Sequence, residues 1–324
     1  MRIGINGFGR IGRALFRVLH EREGMEVVAI NDTADVSSLA HLLKYDSIHR
    51  QFTADVEISG QNILIDGRIV SLTHESQLEN ISWKDCDVVI ESTGKFLTKL
   101  DLEKHLKAGA KKVILAASPE GDDVKMVVLG VNDYKLNESD SIVSNASCTT
   151  NCAAPMIKVL DKRFGVKSAY VTTVHSYTSD QSLHDSIHND LRRARSAPNS
   201  IIPTTTGAAK ALSYIFPNIE LNGCGIRVPV ANCSLIDVTC ILNQSTSTKN
   251  INSLFKQESA NDFKDIICYN VDPIVSIDVT SSPYSCIFDS ELTHVSANMV
   301  KVVGWYDNEY GYCSRLVDLL MKIT

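Results

Sequence analysis

Arg2-Ile3-Gly4-Ile5-Asn6-Gly7-Phe8-Gly9-Arg10-Ile11-Gly12-Arg13-Ala14-Leu15-Phe16-Arg17-Val18-Leu19 opens the chain, and its pattern sets the architecture that follows. A short strand runs into a G-x-G-x-x-G turn and then into an amphipathic helix. Glycines at that spacing permit a tight turn, close backbone approach to a pyrophosphate, and tight helix–strand packing, with the helix N-terminus facing the phosphates. A second strand, Glu26-Val27-Val28-Ala29-Ile30, is followed by Asp32. An acid about twenty residues beyond the glycine turn is placed to bond the adenosine ribose hydroxyls. Asp32 could also simply cap a turn. Strand, turn, helix and acid together specify a dinucleotide-binding domain, which a glycine pattern alone does not.

Short β-branched runs continue the pattern at Asp87–Ile90, Lys112–Leu115, Met126–Leu129 and Ser141–Val143, as expected for parallel strands covered on both faces. A helix is expected over 101–108. Residues 45–74 read as polar hairpins inserted into this pattern, with turns at Ser59-Gly60 and Asp66-Gly67. Glu91-Ser92-Thr93-Gly94 ends one strand and carries small hydroxyl residues to the carboxyl edge of the sheet.

The second focus is Ser144-Asn145-Ala146-Ser147-Cys148-Thr149-Thr150-Asn151-Cys152, between the apolar pair Ile142-Val143 and a helical run through Met156, Ile157 and Leu160. This layout places Cys148 at a helix N-terminus, beside free backbone N–H groups. The dipole there is expected to lower the thiol pKa, and the N–H groups suit an oxyanion. Beyond it the strands lengthen and alternate: 169–175, 225–230, 234–242, 274–280, 285–288 and 300–306. Alternation implies a half-wet, antiparallel sheet. A polar loop over 176–200 carries Arg192, Arg193 and Arg195, and its length points to function. An amphipathic helix through Ser314–Met321 is expected to pack on the first domain. The fold class is α/β: a Rossmann dinucleotide-binding domain, 1–147 with the C-terminal helix 310–324, plus an α+β catalytic domain, 148–309, with a mostly antiparallel sheet.

At 324 residues and 44% hydrophobic content the chain can bury two cores. A formal net charge of -6 argues against nucleic acid as principal partner. No apolar run approaches bilayer length, so no membrane partner is expected. The start of the chain lacks the layout of a signal peptide. Nine cysteines without a CxxC pair fit reduced thiols in the cytoplasm. Cys148 and Cys152 share a helix face, but no further ligands stand at matching spacing, so no metal is expected. Among nine histidines, His175 ends a strand in Thr172-Thr173-Val174-His175-Ser176-Tyr177-Thr178 and is the best-placed base for a thiol nucleophile.

Here the residues resemble a family. Ile5–Arg13, Ser144–Cys152, Val174–Thr178, Ile201–Lys210, Arg227-Val228-Pro229 and Trp305–Glu309 are similar to phosphorylating glyceraldehyde-3-phosphate dehydrogenases, and the resemblance spans essentially the whole chain. It implies a cytoplasmic homotetramer of glycolysis and gluconeogenesis. Its partners would be glyceraldehyde 3-phosphate and inorganic phosphate, with NAD as cofactor and NADP as a second possibility. Cys148 would attack the aldehyde, with His175 accepting the thiol proton. Hydride transfer would leave a thioester, and phosphate would release 1,3-bisphosphoglycerate from it. The resemblance assigns cofactor contacts to Gly7, Gly9, Arg10, Ile11, Asp32, Thr33 and Thr93. Asn308 would orient the nicotinamide carboxamide, with Tyr312 packed nearby. Thr178 and Arg227 would grip the substrate phosphate, and Ser147, Thr149, Thr206, Gly207 and Arg195 would line the site for inorganic phosphate.

Ala116-Ala117-Ser118-Pro119 and Tyr310 depart from the family pattern. The 175–195 loop and Thr33 resemble the branch that accepts NADP, whereas Ile187 stands in place of that branch's serine and Asp32 opposes a 2′-phosphate by charge. NAD is therefore expected. Erythrose-4-phosphate dehydrogenase is the nearest alternative, disfavoured by Tyr177-Thr178 and Thr204–Lys210. A non-catalytic surface-binding module would have no chemical need for both Cys148 and His175.

Overall fold

The structure, a computed structural model, describes residues 1–323 and comprises two compact units. The first holds residues 1–127, 134–146 and the chain from Cys313; the second holds 128–133 and 147–312. The short segment 128–133 and residues 310–312 thus group with the second unit, a division different from a single break at the cysteine.

The first unit is built on a nine-stranded sheet. From one edge the order is Lys125–Met126, Ile142–Ser144, Lys112–Leu115, Val88–Glu91, Arg2–Asn6, Glu26–Asn31, Arg68–Thr73, Asn62–Ile65 and Val56–Ser59. The first seven run parallel, and Val88–Glu91, central among them, is buried throughout. Burial on both faces is why these strands read as unbroken apolar runs. Helix Lys99–Lys107 starts at Thr98, whose hydroxyl accepts from Asp101 N–H, and it seals Leu102 against Trp83, Val89 and Val113. Burying each such side chain contributes about 1.5–3 kcal/mol.

Two expectations change in this unit. The 45–74 region is not merely inserted: Arg68–Thr73 adds to the sheet in parallel beside Glu26–Asn31, and the Gly60 and Gly67 hairpins extend it antiparallel. Strand character at 126–129 stops at Met126, because Asn132 Oδ1 accepts the Val128 N–H and folds the chain away. The C-terminal helix, Tyr310–Ile323, touches this unit through Cys313 Sγ on the Ile11 carbonyl at 3.6 Å and through the Ile323 carbonyl, which accepts from Lys112 Nζ.

The second unit has a seven-stranded sheet in the order Ile202–Thr204, Glu220–Val228, Val166–Ser176, Ser234–Leu242, Met299–Tyr306, Cys286–Ser296 and Ile267–Asn270. Four of its six pairings are antiparallel. The expected strand at 274–280 is instead a 3-10 turn, Ser276–Val279. Its alternating apolar residues mislead because Asp278 accepts the Val275 N–H and closes a local turn, leaving Val275 and Ile277 exposed. Helix Cys148–Phe164 packs on this sheet where Gly304 leaves room: a Cβ there would meet Cys286 Sγ at 2.6 Å and Met156 Sδ at 3.1 Å.

Candidate active site

The glycine turn of the first unit forms a cradle with space for a ligand. Gly7 has φ +90, and a Cβ there would lie 2.7 Å from Thr93 N. A Cβ on Gly12 would lie 2.2 Å from the Gly7 carbonyl oxygen, so any larger residue would disrupt the turn. Gly9, by contrast, is exposed and faces open space, and as N-cap of helix Arg10–His20 it offers no side chain to the first-turn N–H groups. Those donors suit a pyrophosphate.

Around the cradle, Asp32 Oδ2 accepts from Phe8 N–H at 2.7 Å and Oδ1 from Ala34 N–H at 3.0 Å, tying the second strand to the turn. Ser92 Oγ donates to the Gly7 carbonyl at 2.8 Å. Thr33 is exposed and Ile11 partly so. Arg10 turns to Asp46, with contacts of 2.7 and 3.2 Å.

In the second unit Cys148 occupies the first position of its helix. The Ser147 side chain caps that helix, accepting from Thr150 N–H at 3.1 Å, a bond type worth about 1 kcal/mol. His175 Nε2 lies 3.8 Å from Cys148 Sγ, and the ring is buried. Its Nδ1 is 2.7 Å from the Ser176 carbonyl, to which Arg227 also donates at 2.9 Å; the Arg227 guanidinium stands 2.6 Å from Nδ1. Asn308 Nδ2 reaches His175 Nε2 at 3.1 Å. The Asn308 amide is held in turn by Ser234 and Ser176.

Burial, then the Arg227 charge, pushes the His175 pKa from 6.5 to about 3, so the imidazole rests neutral. The thiol departs from the sequence-based expectation. Desolvation raises the Cys148 pKa, while Arg227, Thr149 and Asn308 pull it down without prevailing. A helix end favours thiolate, but removing a charge from water costs more.

The remaining assigned residues divide. Thr206 Oγ1 accepts from Ala208 N–H, and Gly207, exposed and with open space at its Cα, is N-cap of helix Ala208–Ile215. Thr149 Oγ1 is buried against the Tyr306 hydroxyl at 3.0 Å, and Thr173 approaches the same hydroxyl at 2.9 Å. Thr178 is partly buried, three residues beyond His175, and Tyr312 is buried. Arg195 does not turn toward the thiol: it is exposed and pairs with Asp185 at 2.8 Å. Arg193 donates to Thr204 and the Thr205 carbonyl, pairs with Asp180 at 2.6 Å, and its charge reaches His175 and Arg227. Two arginines separated by one residue look alike in a loop, and only the distant partners Asp180 and Thr204 separate them. Tyr306 and Ser234 also escaped sequence reasoning, because alternation along a strand marks a face and not a site.

Family profiles match both units. "Glyceraldehyde 3-phosphate dehydrogenase, NAD binding domain" covers residues 1–99, and "Glyceraldehyde 3-phosphate dehydrogenase, C-terminal domain" covers 147–308. The glyceraldehyde-3-phosphate dehydrogenase of Geobacillus stearothermophilus is 46% identical over 330 residues, covering 100% of this chain and 98% of the relative. That of Mycobacterium avium is 48% identical over 334 residues, with the same coverage. The Bacillus subtilis enzyme designated 1 is 46% identical over 330 residues, again with that coverage.

The chain belongs to the glyceraldehyde-3-phosphate dehydrogenase family. Like the family it is an oxidoreductase that uses NAD. The open space at Gly9 and the helix end behind it, which no side chain caps, fit a dinucleotide on physical grounds. No helix among the described residues is long and apolar enough to cross a membrane.

Proposed function

We propose that the chain oxidises glyceraldehyde 3-phosphate with phosphorylation, forming 1,3-bisphosphoglycerate through a thioester on Cys148. The observation that carries this reading is the approach of His175 Nε2 to Cys148 Sγ at 3.8 Å. As sulfur bonds to the aldehyde carbon, the thiol proton passes to His175 Nε2, a neutral acceptor. The carbonyl oxygen becomes an oxyanion, and His175, now protonated, donates a hydrogen bond to it, or gives it a proton that His175 takes back as the hydride leaves. NAD, when bound, supplies the acceptor for the hydride leaving that carbon. A thioester remains on Cys148, retaining free energy that hydrolysis would dissipate. An oxygen of inorganic phosphate attacks it, the C–S bond breaks, and sulfur departs as thiolate while the acyl phosphate leaves.

Two anions must be gripped near the sulfur. Arg227 is the strongest choice for the substrate phosphate with Thr178, its guanidinium already beside His175. Thr206, Gly207 and the helix N-terminus behind them suit inorganic phosphate, with Arg193 rather than Arg195 supplying the charge. Ser147 and Thr149 hydroxyls serve as cap and core contact, so their backbone N–H groups are the better phosphate donors. Asn308, assigned to the nicotinamide carboxamide, also orients the His175 ring. Gly7, Gly9, Arg10, Ile11, Asp32, Thr33 and Thr93 line the dinucleotide, with Asp32 favouring NAD over NADP by charge. The exposed Leu183, Ile187, Leu191 and Ile201 of the long loop favour a homotetramer that covers them. Nine free cysteines support cytoplasmic residence.

A rate assay crossing glyceraldehyde 3-phosphate and erythrose 4-phosphate with NAD and NADP, each with and without phosphate, tests this reading. Phosphate-dependent turnover greatest for glyceraldehyde 3-phosphate with NAD is expected. A preference for erythrose 4-phosphate, or turnover indifferent to phosphate, would overturn it.

A further inference from the structure

We propose that Trp83 and His105 are positioning residues for cofactor binding, acting through a side-chain ladder that crosses the carboxyl edge of the first unit's sheet. The proposal rests on the reading that the glycine turn and Asp32 hold the dinucleotide.

The ladder is centred on Glu91, which ends its strand with no exposed surface. A buried carboxylate persists only if its oxygens are satisfied. Here four donors converge. Oε1 accepts from the Thr93 N–H at 2.8 Å and the Thr93 hydroxyl at 2.5 Å. Oε2 accepts from the Asn6 amide at 2.5 Å and from His105 Nε2 at 3.0 Å. His105 is fully buried too, and the Trp83 indole stands 3.0 Å from its Nδ1. An indole N–H only donates, so Nδ1 must accept and the ring proton sits on Nε2, aimed at Glu91. Trp83 therefore fixes the tautomer that completes the carboxylate's shell.

On the other side the ladder continues across strand ends in register. Asn6 is opposite both Glu91 and Asn31, and Asn31 is opposite Thr73. Asn31 Nδ2 donates to Asn6 Oδ1 at 2.8 Å, and Thr73 Oγ1 donates to Asn31 Oδ1 at 2.8 Å. Three of the rungs are followed directly by residues at the cradle: Gly7 after Asn6, Asp32 after Asn31, Ser92 and Thr93 after Glu91. Because Gly7 lacks a Cβ, the Thr93 backbone packs straight onto the turn. A Glu91 carboxylate that loses a donor and swings shifts Thr93 and the turn with it. A histidine needed only to fill space would not require so complete a set of partners.

The test uses the full chain and measures NAD dissociation constants by calorimetry, together with KM for NAD and kcat. His105→Phe keeps the volume and removes the donor. It is expected to weaken NAD binding and raise its KM about tenfold, with kcat at saturating NAD changed less than about threefold. His105→Gln, which keeps a donor near the Nε2 position, should restore most of the affinity. Trp83→Phe should weaken NAD about threefold in the same direction, since one neutral hydrogen bond is lost.

Leu43→Ala, equally buried in helix Val36–Lys44 and outside the cluster around Trp83, is the control: it should lower the melting temperature and leave NAD affinity unchanged. The proposal is overturned if NAD affinity in His105→Phe stays at the wild-type value, or if Leu43→Ala weakens it as much. Should His105→Phe not fold, His105→Gln and Trp83→Phe decide the matter: wild-type affinity in Trp83→Phe overturns the proposal. Asp32→Ala separates the two levels. If it leaves NAD affinity intact, the dinucleotide reading falls and the ladder's role with it. If it weakens NAD while the Trp83 and His105 variants do not, the ladder's role alone falls.

Discussion

His175 stands between a thiol and a guanidinium, its Nε2 3.8 Å from Cys148 Sγ and its Nδ1 2.6 Å from Arg227. Burial of the ring, and after it the Arg227 charge, keeps the resting imidazole neutral. Desolvation raises the pKa of the thiol, against the pull of Arg227. Arg227 thus has two consequences: it destabilises positive charge on the ring and holds an anion beside it.

Removing the sulfur nucleophile should leave binding and abolish chemistry. Cys148→Ser is expected to lose at least about 1,000-fold in kcat while NAD still titrates, because the hydroxyl is far less acidic than the thiol. Turnover within about tenfold of wild type would remove the nucleophile assignment.

The base makes two measurable contributions. His175→Asn should lower kcat by about 100- to 10,000-fold, the range for a positioned general base. The same variant tests the ring's protonation. With its pKa at 6.5 unfolded and about 3 folded, the folded protein keeps the ring neutral where the unfolded chain protonates it. The stability this contributes is present above pH 6.5 and is lost as pH falls toward 3, by about 1.4 kcal/mol per pH unit within that window. Denaturant titrations at pH 7 and pH 4.5 should therefore show a smaller acid loss in His175→Asn. Equal losses would mean the ring is charged in the native protein.

The two loop arginines should separate cleanly. Arg193→Ala is expected to raise KM for phosphate about tenfold or more, since it removes a charged donor tied to Asp180, Thr204 and Thr205. Arg195→Ala removes an exposed, solvent-screened pair that contributes little, and should behave like wild type. The reverse ranking of the two KM values would return the role to Arg195.

Cofactor choice tests Asp32. Asp32→Gly should weaken NAD more than NADP, because a carboxylate favours free ribose hydroxyls and repels a 2′-phosphate. It also removes the bonds to Phe8 and Ala34 N–H, so some loss for both cofactors is expected. Equal loss for the two would place the effect in the turn and not at the ribose.

Much of this was legible because its physics is local. The glycine turn follows from close approaches at Gly7 and Gly12 that no side chain survives. The position of Cys148 follows from the Ser147 cap one residue before it. What stayed hidden depends on partners far along the chain. Asn308 meets His175 across 133 residues, and Arg193 is distinguished from Arg195 by Thr204 and Asp180. The 274–280 run alternates like a strand, yet one carboxylate, Asp278, supplies a local hydrogen bond that wins. The raised pKa of the thiol is hidden as well, because a helix end is visible in sequence and desolvation is not.

Mass spectrometry of the protein mixed with glyceraldehyde 3-phosphate and NAD, with phosphate withheld and the reaction quenched in acid, looks directly for the covalent intermediate. A 3-phosphoglyceroyl group on Cys148, formed with a stoichiometric burst of NADH and discharged by added phosphate, is the predicted result. A burst of NADH with Cys148 unmodified throughout, or acylation at another cysteine, would contradict the thioester mechanism.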